Sequence, residues 1–303
     1  MTVPKKIETK EDVEAFLDQY DDFLFDCDGV LWQGNHLLPK VNETLDLLRS
    51  RNKRMTFVTN NSTKSRRAYT EKFAGFGINV EAKEIFGSSY SAAVYLKKVI
   101  EFPEDKKVLV IGEKGIEEEL DNVGIKYVVG TDESYRQYPT DELLNAVERD
   151  DSIGAVLCGL DLHINYYKMA VAMQQLKDEK TIFLATNIDS TFPSKGKLLP
   201  GAGTIVGTLE TCTGRKPIAL GKPSDAMMDC IKAEKHFDPK RTCMVGDRLN
   251  TDIAFGSRGG LGTLMVLTGV DKEETILQKD DNSFAKPQYY ADKLGDLVEI
   301  LNQ

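Results

Sequence analysis

The chain has 303 residues, 41% of them hydrophobic and 29% charged, which is enough for one large or two modest globular domains. The 39 basic and 48 acidic side chains leave a net charge of −9, which argues against a nucleic-acid-binding protein. No apolar run approaches the ~20 residues of a membrane span, so no membrane association is expected. The five cysteines are scattered without a C-x-x-C pair, and the three histidines are dispersed, so neither a disulfide frame nor a zinc or histidine metal centre is expected. The polar, lysine-bearing start Met1–Glu8 lacks the apolar core of a secretory signal. The expected compartment is the cytoplasm, with the nucleus left open.

In chain order, Thr9-Lys10-Glu11-Asp12 reads as a helix start, with Thr9 as N-cap and an acidic residue three positions on. Val13, Phe16 and Leu17 form its apolar face. The next stretch is Asp22-Phe23-Leu24-Phe25-Asp26-Cys27-Asp28-Gly29. Phe23, Leu24 and Phe25 suit a buried parallel strand, and Asp26 and Asp28 emerge where it stops. Gly29 permits a tight turn and close approach of a ligand. Two carboxylates this close repel each other unless a cation or a shared proton relieves them. Alone, the string fits an Asp-rich turn equally well. Cys27 between the carboxylates is read as a buried thiol, since nearby anions lower its thiolate fraction and with it any redox role.

Val41, Leu45 and Leu48 recur at helical spacing. Met55 to Thr59 then repeats the opening design, an apolar strand ending in Thr59-Asn60-Asn61-Ser62. Ser62 or Thr63 can cap the following helix, whose start carries Lys64, Arg66 and Arg67. Such a junction suits a phosphate, and it also suits a plain N-cap turn. From about residue 90 a strand–helix–strand pattern restarts. Val108 to Ile111, Ala155 to Cys158 and Thr181 to Ala185 are apolar runs. Met169, Met173 and Leu176 share a helix face that reads as core. Residues 90–215 are therefore expected to form an α/β module with its own small sheet, inserted between residues 1–89 and 216–303. Pro200-Gly201-Ala202-Gly203 opens a helix whose glycines suit either a ligand or tight packing.

Pro217 to Leu220 leads to Gly221-Lys222-Pro223-Ser224, with Ser224 as a helix cap and Lys222 at the helix entrance. Cys243 to Gly246 leads to Asp247, with Asp252 near the start of the next helix. Asp292 is expected to cap a final helix carrying Leu294, Leu297, Val298 and Leu301. Four strands thus end in Asp26/Asp28, Thr59/Asn60, Lys222 and Asp247/Asp252. Parallel strands would deliver all four ends to one edge of one sheet. The donor set is that of a Mg²⁺ site facing a phosphate site, with carboxylates for the metal and Lys222 and Thr59 for the phosphoryl oxygens.

Asp26-Cys27-Asp28-Gly29-Val30, Thr59-Asn60, Lys222 and Gly246-Asp247-Arg248-Leu249-Asn250-Thr251-Asp252 resemble the four ordered motifs of the haloacid dehalogenase superfamily. The longer strings Phe25–Trp32, Val58–Ser65, Gly221–Pro223 and Pro200–Gly203 are similar to its eukaryotic 4-nitrophenylphosphatase and phosphoglycolate phosphatase branch, close to the fungal enzymes, with pyridoxal phosphatase a near relative. The likeness covers nearly the whole chain. It implies an α/β fold, a Rossmann-like parallel-sheet core at 1–89 and 216–303 with an inserted α/β cap of the larger kind at 90–215.

The resemblance also implies roles. Asp26 is the expected nucleophile, forming an aspartyl-phosphate, and Asp28 the general acid and then base. Asp26, Asp247 and the Asp28 carbonyl are the expected Mg²⁺ ligands. Thr59, Asn60 and Lys222 are expected to bind the phosphoryl group, with Asp252 orienting the metal shell or Lys222. Asn187, Asp189 and Phe192 are the cap residues expected to influence substrate choice, although an ordinary loop would carry the same residues. The implied activity is Mg²⁺-dependent hydrolysis of small phosphate monoesters, such as 2-phosphoglycolate, with 4-nitrophenyl phosphate as an artificial substrate. Alternatives are pyridoxal 5′-phosphate, a phosphoprotein, or a non-catalytic sensor of phosphorylated ligands. A homodimer through the cap is a further expectation.

Overall fold

The computed structural model describes residues 3–194, 197–277 and 285–303. The chain divides into two compact units. The first comprises residues 1–59, 70–86 and 234–303, and the second residues 60–69 and 87–233. The division runs through the helix Arg66–Gly75.

A seven-stranded sheet organises the first unit, in the order Lys5–Lys6, Tyr289–Ala291, Gly262–Val266, Thr242–Gly246, Asp22–Phe25, Arg54–Thr59, Ile85–Gly87. Its central pairings are parallel, with Leu24 opposite both Met244 and Thr56. Asp22–Phe25 is buried along its whole length, because in a parallel sheet both faces are covered. Phe23, Phe25 and Phe57 run in a stacked series at centroid spacings of 5.9 and 6.0 Å. Phe73 and Trp32 extend that cluster. Each such buried side chain contributes about 2 kcal/mol by its removal from water.

The opening helix is Lys10–Gln19, closed by a reciprocal capping box between Thr9 and Asp12. The Lys5 ammonium, 2.6 Å from Asp12, holds that carboxyl below its usual range, at about 2. A depressed acid stabilises the fold above its unfolded value and loses that contribution as pH falls through its folded value. Asp12→Ala is therefore expected to be less stable than the parent near pH 6, by about 1 kcal/mol. In urea unfolding the gap should shrink as pH drops from about 4 towards about 2. A gap independent of pH would show that the Asp12 charge contributes nothing.

In the second unit a parallel five-stranded sheet runs Ile218–Ala219, Ile182–Ala185, Ile153–Cys158, Lys107–Ile111, Tyr127–Val129. The inserted strands accordingly form a sheet of their own. The strand before Lys222 belongs here too: Ile218 pairs with Leu184 and Ala219 with Ala185. This corrects the expectation that all four strand ends share one sheet edge. The pairing is only two residues long, and Leu220 beside it is buried with Leu184 in this unit's core. A short apolar run ending in polar residues does not reveal which sheet it joins.

Three smaller expectations also change, and one open alternative is decided. The helix after Asn60 begins at Arg66 and is capped by Ser65, whose Oγ accepts from Ala68 N, because the Asn61 carboxamide turns Thr63 away first. The last helix is Asp296–Leu301, and Asp292 instead pairs with Lys6 at 3.0 Å. On the helix Tyr166–Leu176 the buried face is Lys168, Ala172, Gln175 and Leu176, while Met169 and Met173 are half-buried. Lys168 is admitted because its Nζ reaches Asp161 at 2.7 Å and the Gly130 carbonyl at 2.8 Å. A Cβ on Gly201 or Gly203 would lie 2.2 Å from Asp189 O or 2.3 Å from Ile188 O, so these glycines serve tight backbone packing.

Candidate active site

Three adjacent parallel strands of the first unit end in site residues: Thr242–Gly246 in Asp247, Asp22–Phe25 in Asp26, and Arg54–Thr59 in Thr59 itself. The Asp26 N–H donates to Val245 O at 2.9 Å, so the strand register persists to the tip. The carboxylates of Asp26, Asp247 and Asp252 converge, with one oxygen of each within 4.8 Å of the others. Asp247 and Asp252 are buried and Asp26 is half-buried.

The surrounding backbone fixes this cluster. Asp247 Oδ2 accepts from Val270 N at 2.8 Å, and Asp252 Oδ2 accepts from the N–H groups of Asp247 and Arg248 at 3.3 and 3.2 Å. Gly29 has φ +88°, and a Cβ there would sit 2.6 Å from Asp247 Oδ2. A Cβ on Gly269 would lie 1.7 Å from the same oxygen, and one on Gly246 would lie 2.1 Å from Asp252 Cβ. Glycine is thus required on three sides of the carboxylates. Three acidic oxygens held this close suit a hard divalent cation.

Asp28 does not join this cluster through its carboxylate. Its Oδ1 accepts from Trp32 Nε1 at 2.9 Å and lies 3.9 Å from Lys72 Nζ. Cys27, between the two acids, is fully buried, in keeping with the sequence reading of it as a buried thiol.

The remaining sequence-flagged residues meet in the second unit. The Asn60 carboxamide donates to Lys222 O at 2.9 Å and to Asp189 Oδ2 at 3.0 Å, and accepts from Lys222 N at 2.7 Å. Asn187 Nδ2 donates to Asn60 O at 2.7 Å, and Asp189 N donates to Asn187 Oδ1 at 3.1 Å. Asn60, Asn187, Asp189 and Lys222 therefore form one network, in which Lys222 is 2% exposed and followed by a cis peptide to Pro223. Phe192 is half-buried in the hairpin Thr191–Ser194/Lys197–Pro200, opposite Leu199. The basic helix start does not form an open anion site. Arg66 pairs with the fully buried Glu119 at 2.9 Å, and Arg67 with Glu118 at 2.9 Å.

Two haloacid dehalogenase-type family models match the chain, a haloacid dehalogenase-like hydrolase over residues 23–126 and a HAD-hydrolase-like model over residues 219–297. A 4-nitrophenylphosphatase from Schizosaccharomyces pombe is 51% identical over 97% of this chain and 99% of its own length. The chain belongs to the haloacid dehalogenase-like hydrolase family. Phosphoglycolate phosphatase 1A, chloroplastic, from Arabidopsis thaliana is 44% identical over 95% of this chain and 79% of that protein. Among solved structures, a glycerol phosphate phosphatase from Mycobacterium tuberculosis in complex with magnesium superposes with a TM-score of 0.76. It is 27% identical and covers 93% of this chain and 77% of that one. This haloacid dehalogenase-like hydrolase is therefore an enzyme of the phosphatase type. Among its described residues, no helix is long and apolar enough to cross a membrane.

Sequence reasoning gave no role to three residues that touch the site. Gly269 lies in a loop whose composition carries no signal. Lys72 is one of many helix lysines. Trp32 is the only tryptophan of the chain and stands four residues after Asp28, which is the one available hint.

Proposed function

We propose that this enzyme is a Mg²⁺-dependent phosphatase of small phosphate monoesters that works through an aspartyl-phosphate on Asp26. The observation that carries this is the convergence of the Asp26, Asp247 and Asp252 carboxylates within 4.8 Å. Asp26 and Asp247, with the Asp28 carbonyl, would hold the metal, and Asp252 would fix the shell through the backbone of Asp247 and Arg248. Bound there, Mg²⁺ supplies positive charge to offset that of the phosphoryl oxygens.

Asp26 attacks phosphorus in line with the ester oxygen. Asp28 protonates the departing alcohol and then deprotonates the water that frees phosphate. Thr59, Asn60 and Lys222 bind the phosphoryl group in this reading. Lys222 supplies the cation, while the Asn60 carboxamide holds Lys222 by its own N–H and C=O. The segment 90–215 acts as the cap that selects substrate, with Asn187, Asp189 and Phe192 as its candidates. Asn187 and Asp189 act through Asn60, to which both are bonded.

The relatives' names suggest 2-phosphoglycolate and glycerol phosphates as substrates, and 4-nitrophenyl phosphate as a convenient ester. The deciding experiment is a panel of these esters with pyridoxal 5′-phosphate and a phosphopeptide, with Mg²⁺ and with chelator. The small acidic or polyol esters are expected to have the highest kcat/KM, with activity lost in chelator and restored by Mg²⁺. Activity indifferent to chelator would overturn the metal assignment. A preference for pyridoxal 5′-phosphate or the phosphopeptide would overturn the substrate assignment.

A further inference from the structure

The indole of Trp32 is 0% exposed, yet it carries a polar N–H that must find an acceptor. It finds Asp28 Oδ1, at 2.9 Å. The ring is fixed from several sides. Phe73 meets it edge-on at 4.9 Å, Phe76 stacks at 5.4 Å, and Lys72 Nζ sits 4.1 Å from its centroid. The same ammonium is 3.9 Å from Asp28 Oδ1. The backbone adds a further tie, since Gly29 N donates to Trp32 O at 2.7 Å. Both side-chain contacts of Asp28 fall on Oδ1, and Oδ2 carries none among the described residues.

An indole N–H and an ammonium can only donate. The indole hydrogen bond and the nearby ammonium thus favour Oδ1 as the carbonyl-type acceptor, which makes Oδ2 the better seat for a proton on the carboxyl. We propose that Trp32, braced by Lys72, is a positioning residue that reserves Oδ1 and assigns proton transfer to Oδ2 of Asp28. The assignment rests on the phosphatase reading above. In the first step an Asp26 oxygen bonds to phosphorus, the bond from phosphorus to the ester oxygen breaks, and that oxygen takes the proton from Oδ2. In the second step Oδ2 takes a proton from water as the water oxygen bonds to phosphorus. The bond from phosphorus to Asp26 breaks, phosphate leaves, and both carboxyl groups return to their starting states.

The test uses the full chain with Mg²⁺ and Trp32→Phe, which keeps an aromatic ring and removes the N–H. With enzyme in excess over 4-nitrophenyl phosphate, nitrophenolate release reports the first step and phosphate release the second. Nitrophenolate is a good enough leaving group to depart unprotonated, so its release should change by less than about 3-fold. Phosphate release, which needs Asp28 as base once its unused proton has passed to solvent, should slow by about 10- to 100-fold, within the range of general acid–base effects. With glycerol 3-phosphate, whose alkoxide must be protonated, the first step should slow by a similar factor. Lys72→Met, which leaves the indole in place, should move the same rates in the same direction by a smaller factor. Equal slowing of both steps with both esters, or no slowing, would overturn the assignment and leave the phosphatase reading intact. Parent enzyme without Mg²⁺-dependent phosphate release would overturn that reading itself. If Trp32→Phe fails to fold, as circular dichroism would reveal, the Lys72→Met rates decide.

Discussion

Asp26→Asn is expected to lower turnover by about 10⁴-fold or more, because the carboxamide is a far weaker nucleophile at the position proposed to bond to phosphorus. The substitution is nearly isosteric at a half-buried strand tip, so the parallel pairing of Asp22–Phe25 and the thermal stability should be retained. Brief exposure to a radiolabelled phosphate ester followed by acid quench should leave label on the parent protein and none on the variant. Retained Mg²⁺-dependent turnover in Asp26→Asn would end the aspartyl-phosphate mechanism. Label that persisted on the variant would show that a different residue is phosphorylated.

The second large effect is expected at a residue that bears no chemistry. Gly269→Ala would place a Cβ 1.7 Å from Asp247 Oδ2, a separation no relaxed structure tolerates. Either the carboxylate turns away or the loop retreats, and both disturb the Val270 N–H bond that orients it. Loss of such an orienting partner typically costs about 10- to 100-fold in metal affinity. The Mg²⁺ concentration giving half-maximal activity should rise by that factor, and calorimetric titration of Mg²⁺ should follow it. Asp247→Asn should have a similar effect, and the double variant should be little worse than either single one, since both act on one carboxylate. A Gly269→Ala enzyme with an unchanged Mg²⁺ midpoint would remove Asp247 from the metal site.

Much of this architecture can be read from local pattern. A buried parallel strand is an apolar run, and its C-terminal tip is where the polarity changes, so Asp26, Thr59 and Asp247 stand out within windows of eight residues. The capping box at Thr9 and Asp12 is equally local. What local pattern does not carry is the identity of a distant partner. Ile218–Ala219 joins the second unit's sheet through two residues of pairing to Leu184 and Ala185. Arg66 and Arg67 look available for an anion until Glu119 and Glu118, some fifty positions later, neutralise them. Ser62 and Thr63 both look like caps, whereas Ser65 is the cap and Thr63 is engaged by the Asn61 side chain. The burial of Lys168 likewise depends on acceptors carried by other elements, Asp161 and Gly130 O. The roles of Gly269 and Trp32 depend on which atoms stand near them, and residue type alone does not convey that.

The strand order of the first unit has a consequence for synthesis on the ribosome. Asp22–Phe25 lies between Arg54–Thr59, which follows within about thirty residues, and Thr242–Gly246, which follows more than two hundred later. The second unit's sheet, by contrast, is drawn entirely from residues 107–219. An emerging chain can therefore complete that sheet while Asp22–Phe25 still lacks its neighbour on one side. Asp26 leaves the exit tunnel more than two hundred residues ahead of Asp247 and Asp252. Until those residues have emerged, the nascent polypeptide holds the Asp26 carboxylate without its partner acids. The cluster of Asp26, Asp247 and Asp252 carboxylates can form only after that long intervening stretch has been made.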